Sequence, residues 1–190
     1  FGAAQARKRM FLLCDRLGTV VSRERLLSFA NRKKKTARDA INWKAGYPTT
    51  ELYRNGRAQA TIERAKRAIE ALGRGEPFII VYYGSDYAGG WQSLDAPLRT
   101  VTTIDRFGLV TWKGNTPNLR MLQPAELLKA MGGGIEHGLP FGNRREKVKL
   151  CGNGVCAEVM TAIFKYISSA QREVLSTKPA KRIKAELQPS

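Results

Sequence analysis

A helix-forming segment runs directly into a strand-forming segment near the middle of this chain. The helix is predicted over residues 57–72, because apolar side chains recur there every three or four positions and so share one face. That face carries Ile62, Ala65, Ile69 and Leu72. Gly73 and Gly75 end the helix, and the β-branched and aromatic run at 78–83 predicts a strand. The pair therefore predicts a chain that contains both helices and strands.

Further strands are predicted on both sides of this pair. An apolar run bounded by charge at residues 10–14 predicts a buried strand. Three more strands are predicted at 98–103, 108–112 and 147–151. Residues 84–90 are predicted to form a flexible loop with polar tips.

Two further helices follow from local signals. Proline at a first-turn position predicts a helix at 124–131, which a run of glycines ends. A second helix is predicted at 154–168, where the apolar side chains recur every four residues. The basic residues after 176 are predicted to form a frayed tail.

The charge of the chain is strongly unbalanced. Lys and Arg number 33 against 16 Asp and Glu, so the formal net charge is +17. Such a surplus indicates a polyanionic partner, first of all nucleic acid, with a solvated basic surface as the alternative. The four consecutive cations at 32–35 allow the same two interpretations, a phosphate contact or a solvated loop.

Composition excludes several classes of protein. No apolar run approaches the ~20 residues of a membrane span, and the first residues lack the apolar core of a signal peptide. Three cysteines are too few for a disulfide framework, which predicts a reducing cytoplasm. The single His137 excludes a metal site that needs two histidines, so no metal is expected.

Two short sequence patterns are candidates for a catalytic or ligand-binding site. Gln5, Arg7 and Arg9 alternate on a predicted strand, so all three side chains are expected to project into one cleft and bind an anionic or hydrogen-bonding substrate. The alternative is an edge strand with ordinary surface charge. Residues 152–157 fit G-x-G-x-x-A, but too little chain follows for a dinucleotide fold. Two interpretations of residues 152–157 remain, a ligand-binding turn and a turn that only caps a helix.

Four segments, taken in order, resemble motifs of the DNA cytosine-5 methyltransferases. Residues 1–11 resemble the Gln-x-Arg-x-Arg strand motif, and 97–103 resemble a stretch of the target-recognition domain. Residues 120–127 are similar to the penultimate motif, and 142–160 to the final one. The chain departs from the family at Gly133-Gly134, where Phe-Pro is usual, at Lys129, where Arg is usual, and at Ala157-Glu158, where two prolines are frequent.

The resemblance implies the C-terminal half of such an enzyme. The Phe-x-Gly-x-Gly cofactor loop, the Pro-Cys nucleophile and the Glu-Asn-Val motif precede Gln-x-Arg-x-Arg in the family, and none occurs in this sequence. The implied fold class is α/β, with the end of a Rossmann-like S-adenosylmethionine-dependent catalytic domain and a mixed α+β recognition domain. The implied boundaries are 1–30 and 141–176 for catalytic parts, 31–140 for recognition and 177–190 for the tail.

The resemblance also implies roles for particular residues. Arg9 would reach the flipped cytosine, while Gln5 and Arg7 would position that strand and the DNA backbone. Asn153, Gly154 and Val155 would line the S-adenosylmethionine pocket. The residues expected to meet duplex DNA are Thr100, Tyr87, Trp91, Gln92, Arg144 and Arg145.

The implied partners are duplex DNA and the missing N-terminal catalytic half, with no membrane and no metal, in a cytoplasmic, nucleoid-associated protein. Two alternatives stand beside the methyltransferase. One is a non-catalytic DNA-binding module or an inactive remnant of such an enzyme. The other is a basic protein that binds RNA or anionic surfaces.

Overall fold

The computed structural model describes residues 1–14, 16, 20–83, 89–133 and 138–177, and these form two units. The larger, called here the sheet unit, comprises residues 3–7 and 34–156. The smaller, called here the helical unit, comprises residues 1–2, 8–33 and the chain from 157 onward. The longer stretch of the sheet unit, 34–156, begins near the predicted start of the recognition domain at 31 but continues past the predicted end at 140.

Five strands and six helices are present in the described residues. The strands are β1 (Thr50–Glu51), β2 (Phe78–Val81), β3 (Trp91–Ser93), β4 (Phe107–Lys113) and β5 (Thr116–Met121). The helices are α1 (Arg23–Ser28), α2 (Ala37–Ala40), α3 (Gln59–Leu72), α4 (Pro124–Ala130), α5 (Arg144–Asn153) and α6 (Ala157–Thr177). All strands, and helices α2 to α5, belong to the sheet unit.

The strands form one sheet in the order β1-β5-β4-β2-β3, and every neighbouring pair is antiparallel. The only parallel pairing among the described residues is an isolated bridge between Gln5 and Leu98. The described chain is therefore a mixed α and β structure around an antiparallel sheet. The parallel strands of a Rossmann-like sheet, which the resemblance implied, do not occur among the described strands.

Alternation along β2 builds two separate cores. Ile79 and Val81 face a core that contains residues of α2, α4 and α5. Phe78 and Ile80 face the opposite way, toward a core closed by Ala65 and Ala68 of α3. Because successive strand residues point to opposite faces, a continuous apolar run is what a strand covered on both sides requires.

The central predictions are confirmed. Helix α3 ends at Leu72, and Gly73 follows it with φ of 92°, a conformation that favours glycine. Strands β2 and β4 lie within or across the predicted ranges at 78–83 and 108–112. Helix α4 begins at the predicted proline. The predicted loop at 84–90 lies outside the described residues except for its last two, and the predicted tail lies outside them after 177.

Three predicted strands are wrong. Residues 10–14 form no strand and are exposed, with Met10 at 84% and Leu12 at 81%. An apolar run becomes a buried strand only where a neighbour accepts its backbone hydrogen bonds, and the described residues provide none. Residues 98–103 make only the single bridge at Leu98, although Leu98 and Val101 are buried.

The third wrong strand, at 147–151, is part of helix α5. Asn143 begins that helix with a capping box, in which the amide N–H of Glu146 donates to Asn143 Oδ1 and the amide N–H of Asn143 donates to Glu146 Oε2. These reciprocal bonds satisfy two amide groups that a helix start leaves free. The turn at 152–154 therefore joins two helices and does not follow a strand.

Helices α1 and α6 are in contact within the helical unit. The hydroxyl of the buried Tyr166 donates to the carbonyl of Val20 at 2.7 Å and accepts from the amide of Ser22 at 2.9 Å. Arg25 of α1 forms an exposed ion pair with Glu173 of α6. Helix α6 extends well beyond the predicted end at 168, and no helix among the described residues is long and apolar enough to cross a membrane.

Candidate functional site

The Gln-x-Arg segment and the stretch at 97–103 are bonded side by side, although about ninety residues separate them in the chain. The amide of Val101 donates to Gln5 Oε1 at 3.3 Å, and Arg7 Nη1 donates to the carbonyl of Val101 at 2.9 Å. The hydroxyl of Thr100 donates to the carbonyl of Ala6 at 2.8 Å. Two of the four segments of the resemblance therefore form one local structure.

Gln5, Arg7 and Arg9 do not share a cleft as the alternation predicted. Gln5 is buried, and its amide nitrogen donates to the sulfur of Met131 at 2.7 Å. Arg9 is exposed and belongs to the helical unit, where Nη1 donates to the carbonyl of Lys8. Residues 6–10 form no strand, so the two-residue period that would align the three side chains is absent.

The end of α5 also packs against the stretch at 97–103. A Cβ atom added at Gly152 would lie 2.4 Å from the carbonyl carbon and oxygen of Thr102. Arg144, at the start of α5, donates from Nε and Nη2 to the carboxylate of Asp105 at 2.9 and 3.1 Å. Nη1 of Arg144 also donates to Gln123 Oε1 at 2.7 Å. The final motif is thus tied both to the recognition stretch and to the penultimate motif.

A buried ion pair organises the penultimate motif. Arg120 donates two hydrogen bonds of 2.7 Å to the carboxylate of Glu126, and the two side chains are only 8% and 1% exposed. The amide of Asn42 also donates to that carboxylate, at 2.9 Å, and the ring of Tyr47 lies 5.0 Å from the Arg120 guanidinium. These contacts satisfy both buried charges, which is what makes such a pair tolerable away from water.

Asn153 is the last residue of α5, and Gly154 and Val155 lie in the connection from α5 to α6. The side chains of Asn153 and Val155 are exposed, and the amide of Gly154 donates to the carbonyl of Leu150 at 2.9 Å. An exposed carboxamide offers both a donor and an acceptor. The turn therefore presents the carboxamide of Asn153 to solvent, while Gly154 serves as the C-cap of α5.

The residues predicted to contact DNA fall into different environments. Gln92 is buried, where its amide donates to the carbonyl of Pro97 at 3.2 Å and accepts from the amide of Arg99 at 3.0 Å. Trp91 is half-buried against the core that α3 covers. Gln92 therefore supports the 97–103 stretch and does not present its amide to a partner.

The predicted cations also differ in what they do. Arg145 is exposed, as are Arg32, Lys33 and Lys34, whereas Arg144 is held by Asp105 and Gln123. Tyr87 lies outside the described residues. The exposed cations are available to phosphates, and Arg144 acts within the fold.

The cysteines do not form a nucleophilic site. Burial raises the pKa of Cys151 above its ordinary value, which disfavours the reactive thiolate, and Cys156 is also buried. Cys14 is exposed. Among the described residues, no group of three or more His, Cys, Asp or Glu side chains is placed to hold a metal ion.

Four arginines that the sequence patterns did not single out contact described residues near the end of β2 and the start of β3. Nε of Arg67 donates to the carbonyl of Gly89 at 3.1 Å, and the Arg64 guanidinium lies 5.8 Å from the centre of the Tyr82 ring. Nη2 of Arg99 donates to the carbonyl of Trp91 at 3.2 Å, and Nη1 of Arg106 donates to the carbonyl of Tyr82 at 2.9 Å. The spacing of the two α3 arginines, three residues apart, is the sequence signal that could have found them.

Comparison with known proteins identified no similar protein. No protein-family model matches the chain, and neither a curated protein nor a solved structure matches it. The candidate site therefore rests on the contacts between the four segments and on the residues around them.

Proposed function

We propose that this chain is the C-terminal portion of a DNA cytosine-5 methyltransferase. In this proposal it supplies target recognition, an arginine that supports the cytosine, and part of the cofactor pocket. One observation carries it: parts of all four segments that resemble the family lie in the sheet unit, where contacts connect all four. Gln5 and Arg7 bond to Val101, Gly152 lies against Thr102, and Arg144 joins the final motif to the penultimate one.

That convergence supports the resemblance because local sequence does not dictate it. The four segments span most of the chain, and chance likenesses in unrelated places have no physical reason to pack together. In this proposal the sheet unit corresponds to the recognition domain. Another polypeptide segment would complete the Rossmann-like catalytic sheet.

The proposed chemistry requires that the target base leave the duplex before it can be methylated, since carbon 5 is not accessible to an active site within the stack. In the family, a cysteine thiolate attacks carbon 6 of the cytosine, and this chain lacks the Pro-Cys motif that carries it. Arg9 is the proposed support of the cytosine near its carbonyl oxygen. A cation there favours the negative charge that develops on the ring.

S-adenosylmethionine would supply the methyl group. Asn153, Gly154 and Val155 are the residues of this chain that would hold it. The exposed Asn153 carboxamide suits its polar groups.

A methyl-transfer assay tests the proposal. The chain alone should transfer no labelled methyl group to duplex DNA. Mixing it with a polypeptide that carries the Pro-Cys and Phe-x-Gly-x-Gly motifs, from the same gene or a companion subunit, should restore turnover. Turnover by the chain alone would contradict the proposal, and DNA binding without turnover in the mixture would favour the non-catalytic DNA-binding module.

Two substitutions in the active mixture then test the roles. Arg9→Ala should slow the single-turnover rate at saturating cofactor by about 10²-fold or more. Asn153→Ala should weaken cofactor binding by about 1–2 kcal/mol, the value of one lost hydrogen bond. Lys8→Ala is the matched control, since Lys8 is an exposed neighbouring cation without an assigned role.

A further inference from the structure

A cleft lies beside the hairpin that joins β4 to β5 and is called here the hairpin cleft. Its volume is about 490 Å³, within the range of ligand-binding sites. The paired residues Val110 and Leu119 are buried on the face that α3 covers. The next pair on that face, Trp112 and Pro117, lines the cleft together with Ile69 in the last turn of α3. The cleft therefore continues the covered face of the sheet toward solvent.

Three residues that carry rings line the hairpin cleft, namely Tyr53, Trp112 and Pro117. Nε1 of Trp112 donates to the carbonyl of Glu76 at 2.9 Å, which fixes the orientation of the indole. Tyr53 is 52% exposed, and the half-buried Trp112 also keeps some surface open to solvent. Aromatic surfaces of this kind are where unstacked nucleic-acid bases bind, because every base has a flat face.

One cation and one carboxylate also line the hairpin cleft. Among the residues that the structure describes, the guanidinium of Arg74 has no ion-pair or hydrogen-bond partner, and Arg74 is exposed. Its planar set of five N–H donors matches the oxygens of a phosphate. Glu51 is the one acidic residue in the lining, and no cation of the described chain pairs with its carboxylate. Both charged groups are therefore available to a ligand.

These groups favour a ligand that joins a planar ring to an anion. A cation held over the aromatic faces is the alternative, but Arg74 and the net charge of +17 oppose it. A carboxylate such as that of Glu51 accepts from the exocyclic amine of a cytosine. A flat ring with an amine on its edge and a phosphate beside it describes a nucleotide. Because a base inside a duplex has both faces stacked, that nucleotide must be unpaired.

We propose that the hairpin cleft binds an unpaired nucleotide of single-stranded nucleic acid. The base stacks against Tyr53 and Trp112, and Arg74 contacts an adjoining phosphate. Sites for single strands combine such stacking with positive charge along the backbone. This inference goes beyond the proposed function, which concerns duplex DNA and assigns no role to these three residues.

The first test compares two single strands as partners of the full chain. One strand has eight deoxycytidines, and the other has eight abasic sites and the same phosphate charge. The parent chain should bind the strand with bases about five- to a hundredfold more tightly, the range for one stacked base. Equal affinity for the two strands would overturn the inference, since the net charge alone would then explain binding.

Two substitutions locate the site. Tyr53→Ala should remove most of the preference for bases, while the matched control Trp43→Ala, at an exposed aromatic residue outside the cleft, should keep it. Arg74→Gln should lower the slope of log affinity against log salt by about 0.7, the value of one single-strand phosphate contact. Its control is Lys44→Gln, at an exposed cation outside the cleft. Parent-like binding by the folded cleft variants, or equal changes in the controls, would overturn the inference.

Tryptophan fluorescence gives a readout that net charge does not move. The chain has three tryptophans, and a base stacked on Trp112 should quench part of their emission when the strand with bases binds. Trp112→Phe should abolish the quenching while keeping a ring in the cleft. Quenching that persists in Trp112→Phe would place the base at another tryptophan and overturn the inference.

The remaining outcomes separate the cleft from other ligands and from the proposed function. A duplex with closed ends should bind the parent and Tyr53→Ala equally, and a loss in Tyr53→Ala would overturn the restriction to unpaired bases. Free cytidine monophosphate that binds as tightly as the strand, or a proline-rich peptide that displaces it, would overturn the single-strand assignment. Failure of methyl transfer beside intact binding in the cleft would count only against the proposed function.

Discussion

Gly152 has less room for a side chain than the other glycine of its motif. Replacing it with alanine would place Cβ 2.4 Å from the backbone of Thr102, so either α5 or the 97–103 stretch must shift. We expect Gly152→Ala to lower the free energy of unfolding by about 1–3 kcal/mol, as overpacking does in a filled core. Urea unfolding followed by circular dichroism measures this change.

The matched control is Gly154→Ala. Gly154 has a φ of −61°, and the nearest atom to its added Cβ is 3.3 Å away. The control should cost much less than Gly152→Ala. Equal losses in the two variants would mean that the approach of α5 to Thr102 is not what makes glycine necessary at 152.

The thiol of Cys151 should make folding sensitive to alkaline pH. Burial raises its pKa in the folded chain, so the unfolded chain loses this proton first as the pH rises. The stabilising contribution is complete below the ordinary thiol pKa of about 8.5 and is lost as the pH rises through and above it. We expect the melting temperature to fall as the pH rises above about 8.5, and to fall less in Cys151→Ala.

A thiol-labelling experiment provides the control for that prediction. Cys14 is exposed and should react with a disulfide reagent in the native chain, whereas Cys151 should react only on unfolding. Cys14→Ser should keep the full pH dependence. A pH profile that Cys151→Ala does not flatten would assign the effect to another group.

At the scale of elements, the hydroxyl group of Tyr166 ties the start of α1 to α6. Tyr166→Phe removes the donor to Val20 and the acceptor for the amide of Ser22. Leaving these partly buried backbone groups unpaired should cost about 1–3 kcal/mol. Hydrogen exchange of the amides at 22–28 should accelerate accordingly, while Tyr53→Phe, at an exposed tyrosine of the sheet unit, should not change it. Unchanged protection in Tyr166→Phe would mean that other contacts hold α1 in place.

Elements also show where local patterns mislead. Residues 147–151 were predicted as a strand, yet the capping box at Asn143 and Glu146 begins a helix there. The capping box can be read from the sequence, and in the structure it outweighs the strand preference of the apolar side chains that follow it. The opposite error occurs at 10–14, where an apolar run has no partner strand among the described residues.

At the scale of the whole molecule, the charge of +17 should dominate binding to nucleic acid. About six phosphate contacts would lower affinity roughly a thousandfold between 50 and 200 mM salt. Fluorescence anisotropy with labelled duplex DNA across that range measures the slope. An uncharged polymer of similar length is the control, and an affinity that does not change with salt would show that the cations do not contact phosphates.

Several elements followed from the sequence alone because their causes are local. The apolar period of α3, the glycine after it, the buried run of β2 and the proline that begins α4 all act within a few residues. Backbone sterics and the position of apolar side chains decide such elements before any distant contact forms. The net charge likewise needs no structure, and it supports the expectation of a polyanionic partner.

Only the tertiary structure decided which side chains are available to a partner. Gln92 was predicted to read DNA, but the backbone of the 97–103 stretch occupies its amide. Arg67, Arg99 and Arg106 escaped prediction because they come from α3 and from the connection between β3 and β4, which meet the ends of β2 and β3 only in the folded chain. The close approach of Gly152 to Thr102 could not be predicted from the sequence either. These contacts join residues that are distant in the chain, and no local period or spacing encodes them.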